Sequence, residues 1–499
     1  MIFVKHRRSI NLNSEIQFLI RNSKVETKFS PKAVKLAKQF GSTPSAKEQH
    51  KRTNLKKLPL CTIDGETAKD FDDAVYAYKK GRDFCVIVAI ADVAHYVTEN
   101  LPIDIDAIRR STSIYYPGNC IPMIPEELSN GLCSLKPRVA RLCMTVSFRV
   151  TPSGAVKDIE VDQAVMRSQA RLTYTDVQKL IDDKYTKLPK KMPKAVFESL
   201  KVLQKASLAL RKARANRGSI DFDANEAVII LSKNGEPLSI ESSERLEAHR
   251  LIEDLMIAAN EAVACYLEKN KVRTIFRIHE PPSSEKIKNF TELANSLGAL
   301  TPGVARQLAK ASEGPAVLAK LILTFEKHPA KATLENALLR SMMQARYSPK
   351  NVGHYGLAST SYLHFTSPIR RYPDLIVHRV LKNLRTRKKS KRDLAQVAEH
   401  CSGQERKAVD LERQIHALHA TWFMRNKIGE RYKGAVTSRT DFGIFVRINK
   451  YHVEGLIHVS TLRPGDLKRF QVGQEINIEV VGVNLARRFI DFVWVPHKP

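Results

Sequence analysis

Hydrophobic and polar positions divide the chain into zones of different period. Residues 58–63 form a short apolar run, and 84–93 form a longer one, Phe84-Cys85-Val86-Ile87-Val88-Ala89-Ile90-Ala91-Asp92-Val93. The second is apolar enough to predict a strand buried on both faces. Residues 141–150 and 155–161 flank Thr151-Pro152-Ser153-Gly154, which predicts a hairpin. The proline-rich stretch from Ile114-Tyr115-Tyr116-Pro117-Gly118 to Ile121-Pro122-Met123-Ile124-Pro125 predicts an irregular loop. From Asp176 to Asn216 the spacing becomes helical. A helix over 245–269 puts Leu251, Leu255, Ala258 and Ala262 on one face. Residues 284–347 read as short helices broken at Gly298, Pro302-Gly303, Gly314-Pro315 and Pro329, and a long helix reaches about Lys427. Beyond 429, Gly434-Ala435-Val436, Phe442-Gly443-Ile444-Phe445-Val446 and Gly455-Leu456-Ile457-His458 alternate as the strands of a small barrel do. Ahead of residue 58 the pattern is weak: 14–20 alternates as a strand, and 31–40 reads as a short helix.

Charge narrows the class. Lys plus Arg number 82 against 52 Asp plus Glu, a net charge of +30 over 499 residues. An excess of that size calls for a polyanion, nucleic acid first and an anionic membrane surface second. No apolar run is long enough to span a bilayer, no long basic amphipathic helix is present, and the opening residues lack a signal-peptide core. The seven scattered cysteines form no Cys-x-x-Cys pair, which argues against a disulfide framework or a zinc site and fits a reducing cytoplasm.

The chemistry concentrates in two stretches. Asp64, Asp70, Asp72 and Asp73 fall within ten residues, interrupted by apolar Phe71, Ala74 and Val75. Such a set suits a magnesium ion completed by water and substrate phosphate, or else a solvated acidic turn. The second stretch is His364-Phe365-Thr366-Ser367-Pro368-Ile369-Arg370-Arg371-Tyr372-Pro373-Asp374. Pro373 suits the first turn of a helix, so Arg370 and Arg371 precede a helix N-terminus, a natural phosphate site. The histidines lack metal-ligand spacing and read as structural. The basic stretch 382–392 reads as a solvated loop or an RNA-facing patch.

Thr62-Ile63-Asp64-Gly65-Glu66 through Asp70-Phe71-Asp72-Asp73-Ala74 resembles the signature of the ribonuclease II and ribonuclease R family in its catalytic RNB domain. Arg171-Leu172-Thr173-Tyr174, Arg217-Gly218-Ser219-Ile220-Asp221-Phe222, the block 250–260 and His354-Tyr355-Gly356-Leu357 resemble further family elements, and Tyr362-Leu363-His364-Phe365 leans toward ribonuclease R. Residues 429–497 resemble the OB-fold domain of the ribosomal S-one type. The resemblance implies an α+β multidomain chain: a basic segment 1–57, a mixed α/β RNB catalytic domain over 58–428, and an all-β OB-fold barrel over 429–499. Segment 1–57 is too short for a complete cold-shock OB fold, though it could keep the last strands of one. The chain is also shorter than ribonuclease R between Leu462 and Val472 and lacks its lysine-rich tail.

The implied activity is magnesium-dependent, hydrolytic and processive 3′-to-5′ degradation of single-stranded RNA with a free 3′ end, releasing nucleoside 5′-monophosphates, by a monomer. Asp64 and Asp73, with Asp70 beside them, match metal positions; Asp72 matches the position serving the attacking water; Arg370 matches the transition-state arginine. Tyr115 matches the clamp on the 3′-terminal nucleotide, Tyr174 a contact near the cleavage point, Phe222 the cap of the base stack, and Glu253 a glutamate that could accept from a 2′-hydroxyl. Phe442, Phe445 and His458 fit a stacking face, with one of the two Phe expected in the core. A non-catalytic RNA-binding scaffold is the rival reading; the presence of all four aspartates and Arg370 argues against it.

Overall fold

The computed structural model describes residues 11–221, 226–308, 314–386 and 392–496. A seven-stranded sheet runs in the order Thr53–Asn54, Val156–Arg167, Ala140–Val150, Asp83–Ala91, Asp73–Lys80, Cys61–Asp64, Ala170–Thr173. Its middle is an antiparallel meander, and both edges pair in parallel. The expected hairpin about Thr151–Gly154 is present.

One face is covered by the helices Lys194–Arg217 and Glu247–Lys269, whose Leu200, Leu203, Leu251, Leu255, Ala258 and Ala262 pack against Val86, Val88 and Ile90. The other is covered at one end by the helices Pro102–Arg110 and Tyr372–Thr386, through Ile103, Ala107, Leu375 and Ile376. Strand Asp83–Ala91 is therefore buried on both faces only over its last four residues and alternates before them. That doubly covered end leads to the acidic cluster. The helices Ser284–Ser296, Pro302–Leu308, Ala316–Thr324 and Lys331–Ser341 form a satellite core of their own around Phe290, Leu318, Phe325 and Leu334.

Residues 12–22 correct the strand expected over 14–20: they form a helix, Leu12–Asn22, capped by the Asn11 side chain. Leu12, Ile16, Leu19 and Ile20 recur at helical spacing and are buried against Leu411, Ile415 and Leu418 of the long helix Leu394–Met424 and against Ile114 and Ile121. Phe18, which created the apparent alternation, is 50% exposed. Among the described residues 11–57 no strand of an OB barrel occurs; Thr53–Asn54 joins the main sheet.

The loop expected over 114–125 also contains regular structure. Ile114–Tyr116 pairs with Asn119–Ile121 across Pro117-Gly118. Gly118 has φ +76°, which suits the third position of a turn opened by proline. The basic stretch 382–392 is neither loop nor patch at its ends. Lys382 and Arg392 point inward, Lys382 to Asp92 at 2.6 Å and Arg392 to Glu99 at 3.5 Å and to Tyr372.

The long helix leads into a closed five-stranded barrel ordered Arg431–Thr440, Gly443–Ile448, Glu454–His458, Phe489–Trp494, Glu475–Asn484. Met424 of that helix and Ile240 of the hairpin Glu226–Leu231/Pro237–Ser243 are buried in the barrel's hydrophobic cluster.

Candidate active site

Asp64 ends strand Cys61–Asp64, and Asp73 begins strand Asp73–Lys80. The intervening segment is pinned at both sides. Arg171 Nη2 donates to the carbonyls of Gly65 at 2.7 Å and Glu66 at 2.9 Å. Ser134 Oγ accepts from Phe71 N–H at 3.0 Å and donates to the Lys69 carbonyl at 2.7 Å. Asp72 is buried; its Oδ1 accepts from Ile369 N–H at 2.9 Å, and its Oδ2 faces Arg370 Nε at 3.7 Å. The two motifs, some 300 residues apart in sequence, thus meet.

Burial first, then Asp73 and Asp70, push the Asp64 carboxyl up. Burial likewise raises Asp73 and Asp72, with Arg370 opposing. Asp64 Oδ2 and Asp72 Oδ2 are buried without a hydrogen-bond partner. Carboxylates that repel one another and present orphaned oxygens fit a divalent cation. Among the described residues no three His, Cys, Asp or Glu side chains converge as a preassembled metal cage. Magnesium is commonly held by one or two carboxylates with water and substrate phosphate, which an open arrangement permits.

The paired arginines divide. Arg370 is half exposed, and its Nη2 donates to Ser367 Oγ at 2.9 Å. Arg371 turns inward, bidentate to Asp374 at 2.9 and 2.7 Å. Asp374 Oδ1 also accepts from Ser367 N–H at 2.8 Å, so Arg371 braces the loop that presents Arg370.

Tyr115 is brought to the cluster. Its hydroxyl donates to Asp70 Oδ2 at 2.8 Å, and its backbone N–H donates to Glu412 Oε1 at 2.7 Å. Burial and Asp70 raise the phenol, keeping it protonated. Tyr174, raised by burial and by Asp73 and Asp64, packs on His249 with ring centroids 4.1 Å apart. Glu253 lies one helical turn beyond His249 and pairs with Arg245, which also holds Asp221 at 2.6 Å. Tyr174, in the field of Asp73 and Asp64, thus leads through His249 to Glu253 on the same helix. Phe222 lies outside the described residues.

In the barrel, Phe442 is 49% exposed and meets Phe445 edge-on at 6.0 Å. Phe445 is only partly buried, so neither Phe is in the core, contrary to expectation; Ile444, Val446 and Ile448 fill it instead. His458 is exposed opposite Gly443, on the strand beside Phe445. Glu412, Ser367, Ile369 N–H and Arg171 are site residues that the sequence reading did not single out.

The RNB domain family matches residues 52–387, two thirds of the chain, and the S1 RNA binding domain family matches 425–493. The chain belongs to the ribonuclease II and ribonuclease R family. Ribonuclease R of Escherichia coli (strain K12) is 40% identical over 472 residues, covering 88% of this chain and 57% of that protein. The chain thus spans little more than half the length of that relative. Ribonuclease R from Mycoplasma genitalium, in complex with ribose-methylated single-stranded RNA, superposes with TM-score 0.90 at 28% identity, over 97% of this chain and 78% of the other. The same protein with double-stranded RNA gives 0.89 at 29% identity, over 97% and 83%. No helix of the described residues is long and apolar enough to cross a membrane.

His354 serves as a local cap. His354 Nδ1 accepts from Leu357 N–H at 3.3 Å, and burial, His279 and Arg277 push its pKa down to about 3. An unfolded chain protonates this side chain below about pH 6.5. The unfolded state then binds the extra proton, so the contribution of His354 is full above that pH and is lost on acidification toward pH 3. His354→Asn, which offers an equivalent acceptor, should lose stability relative to wild type at pH 7.5 and recover part of that difference by pH 5. Urea midpoints at the two pH values test this; a difference that widens on acidification would contradict it.

Proposed function

We propose that this chain hydrolyses single-stranded RNA processively from a free 3′ end, using magnesium and releasing nucleoside 5′-monophosphates. The observation that carries the reading is the meeting of Asp72 with Arg370 and Ile369 N–H beside the buried, mutually repelling acids. We assign residues 58–428 to catalysis and 429–499 to RNA binding.

Hydrolysis places a water oxygen on the terminal phosphorus and expels the 3′-oxygen of the shortened chain. Asp64, Asp73 and Asp70 would hold the cation, which supplies charge neutralisation and a more acidic bound water. Asp72, fixed through Ile369 N–H, orients the attacking water and takes its proton. Arg370, half exposed and steered by Ser367, meets the charge that grows on the phosphoryl oxygens. Tyr115 supports the last nucleotide, and Tyr174 the one across the scissile bond. Glu253 accepts from a 2′-hydroxyl once the RNA displaces Arg245, a route to choosing RNA over DNA.

The test is a gel of a 5′-labelled RNA, with and without magnesium, beside the same RNA blocked at its 3′ end. Progressive shortening only with magnesium and only of the unblocked RNA is expected. Internal cleavage of the blocked RNA would make the chain an endonuclease; no cleavage at all would make it a scaffold.

If Tyr115 stacks on the terminal nucleotide, Tyr115→Ala loses a contact of about 1–3 kcal/mol. Early degradation should continue while the final undigested fragment changes length; an unchanged end product on a sequencing gel would remove Tyr115 from the site. On the barrel, Phe442→Ala with Phe445→Ala should weaken RNA binding by about 1–3 kcal/mol per stacked base. Single-turnover cleavage of short RNA at saturating enzyme should stay near wild type, and a collapse of that rate would place the barrel in the chemistry.

A further inference from the structure

A cavity of about 300 Å³ lies behind the Tyr115 hairpin, lined on its cationic side by Lys24, Arg109 and Arg110 and on its apolar side by Ile114 and Ile121. Thr112, at its edge, donates its hydroxyl to the Arg370 carbonyl at 3.2 Å, so one strand separates the cavity from the catalytic arginine's backbone.

Arg110 is only 7% exposed, and its Nη1 donates to the Pro122 carbonyl at 3.1 Å while its plane lies over Phe29 at 3.9 Å. Its Nε and Nη2 have no hydrogen-bond partner. Among the described residues, none of Lys24, Arg109 and Arg110 closes a salt bridge. Glu26, also at the cavity, and Asp106 act on Arg110 only through the field, and Asp106 already accepts from Ser30 N–H at 2.8 Å. A buried guanidinium with no bonded counter-ion, set beside two further cations, leaves a positive field that an anion completes.

We propose that this cavity binds a nucleoside 5′-monophosphate, its phosphate on Lys24, Arg109 and Arg110 and its base against Ile114 and Ile121. The volume exceeds what a bare phosphate needs and sits at the lower end of small-molecule sites. The ligand's identity as reaction product rests on the function proposed above: each cycle would release it one strand away, behind the hairpin that supports the next 3′ end.

Calorimetry on the full chain in a chelator, where no turnover occurs, separates the site from the chemistry. Adenosine 5′-monophosphate should bind wild type and Arg370→Ala equally. Affinity should fall about tenfold or more in Lys24→Glu/Arg109→Glu, whose side chains are exposed and whose loss spares the fold. Adenosine and inorganic phosphate should each bind at least about tenfold more weakly than the nucleotide. Binding lost in Arg370→Ala but kept in the double variant would place the nucleotide in the active site alone and overturn the proposal. Equal affinity for inorganic phosphate, displacement by a 3′-blocked RNA with the same sensitivity to Lys24 and Arg109, or no nucleotide binding would overturn it too. If nucleotide binds as expected while the gel shows no exonucleolytic shortening, the function falls and the cavity stands.

Discussion

Asp72→Asn is expected to abolish turnover and leave RNA binding intact or slightly tighter. The substitution keeps the size of a buried side chain and can still accept from Ile369 N–H, so the contact between the two motifs survives. What it removes is the negative charge facing Arg370 and the incoming phosphate. One repulsion against the RNA backbone disappears, and so does the group proposed to receive the water's proton. Single-turnover cleavage and equilibrium binding, followed across a magnesium titration, check both halves. Near wild-type cleavage would mean that the assignment of Asp72 is wrong and would favour the scaffold reading.

The second large effect divides two adjacent arginines. Arg370→Ala should slow cleavage roughly a hundred- to thousandfold, the usual loss on removing one transition-state stabiliser. The fold should hold, because the side chain is 49% exposed and its ion pair with Asp72 is long, at 3.7 Å. Arg371→Ala should act first on the fold. It strips the bidentate partner from the fully buried Asp374 and leaves an uncompensated charge, a loss of about 3–5 kcal/mol. Denaturant melts should therefore separate Arg371→Ala from wild type, and cleavage rates should separate Arg370→Ala. Equal melts with equal rates for the two variants would refute the division.

Much of this site was legible because its groups are local in sequence. The four acids share one stretch, the Asp64-Gly65 step ends a strand, and Pro373 marks the start of the helix that follows Arg370. The outward position of Phe445 was also readable: strict alternation with Ile444, Val446 and Ile448 puts it on the outer face. The helix Leu12–Asn22 was misread because Ile16, Phe18 and Ile20 alternate, although Leu12, Ile16, Leu19 and Ile20 carry the helical period equally well. Only the long helix and the Tyr115 hairpin decide between the two periods, by burying one set and leaving Phe18 in solvent. Lys382 and Arg392 were misplaced for a related reason. Their buried partners, Asp92 and Asp104, lie some 290 residues away, and no local pattern shows that a basic stretch ends in buried acids. The Pro117-Gly118 turn was visible in sequence but obscured by the prolines around it.

The helix Leu12–Asn22 also changes what counts as the minimal unit of the candidate site. The span matched by the RNB domain family, 52–387, contains all four aspartates, Arg370, Tyr115 and Tyr174. Trimmed to that span, the chain would keep every group assigned to bond breaking. It would lose Glu412, which holds the Tyr115 backbone, and the four apolar residues that back the hairpin from behind. Ile114 and Ile121 would then face water. Such a fragment would carry the hydrolytic chemistry on an unsupported anvil, so the family boundary, drawn on sequence likeness, cuts inside the mechanical unit.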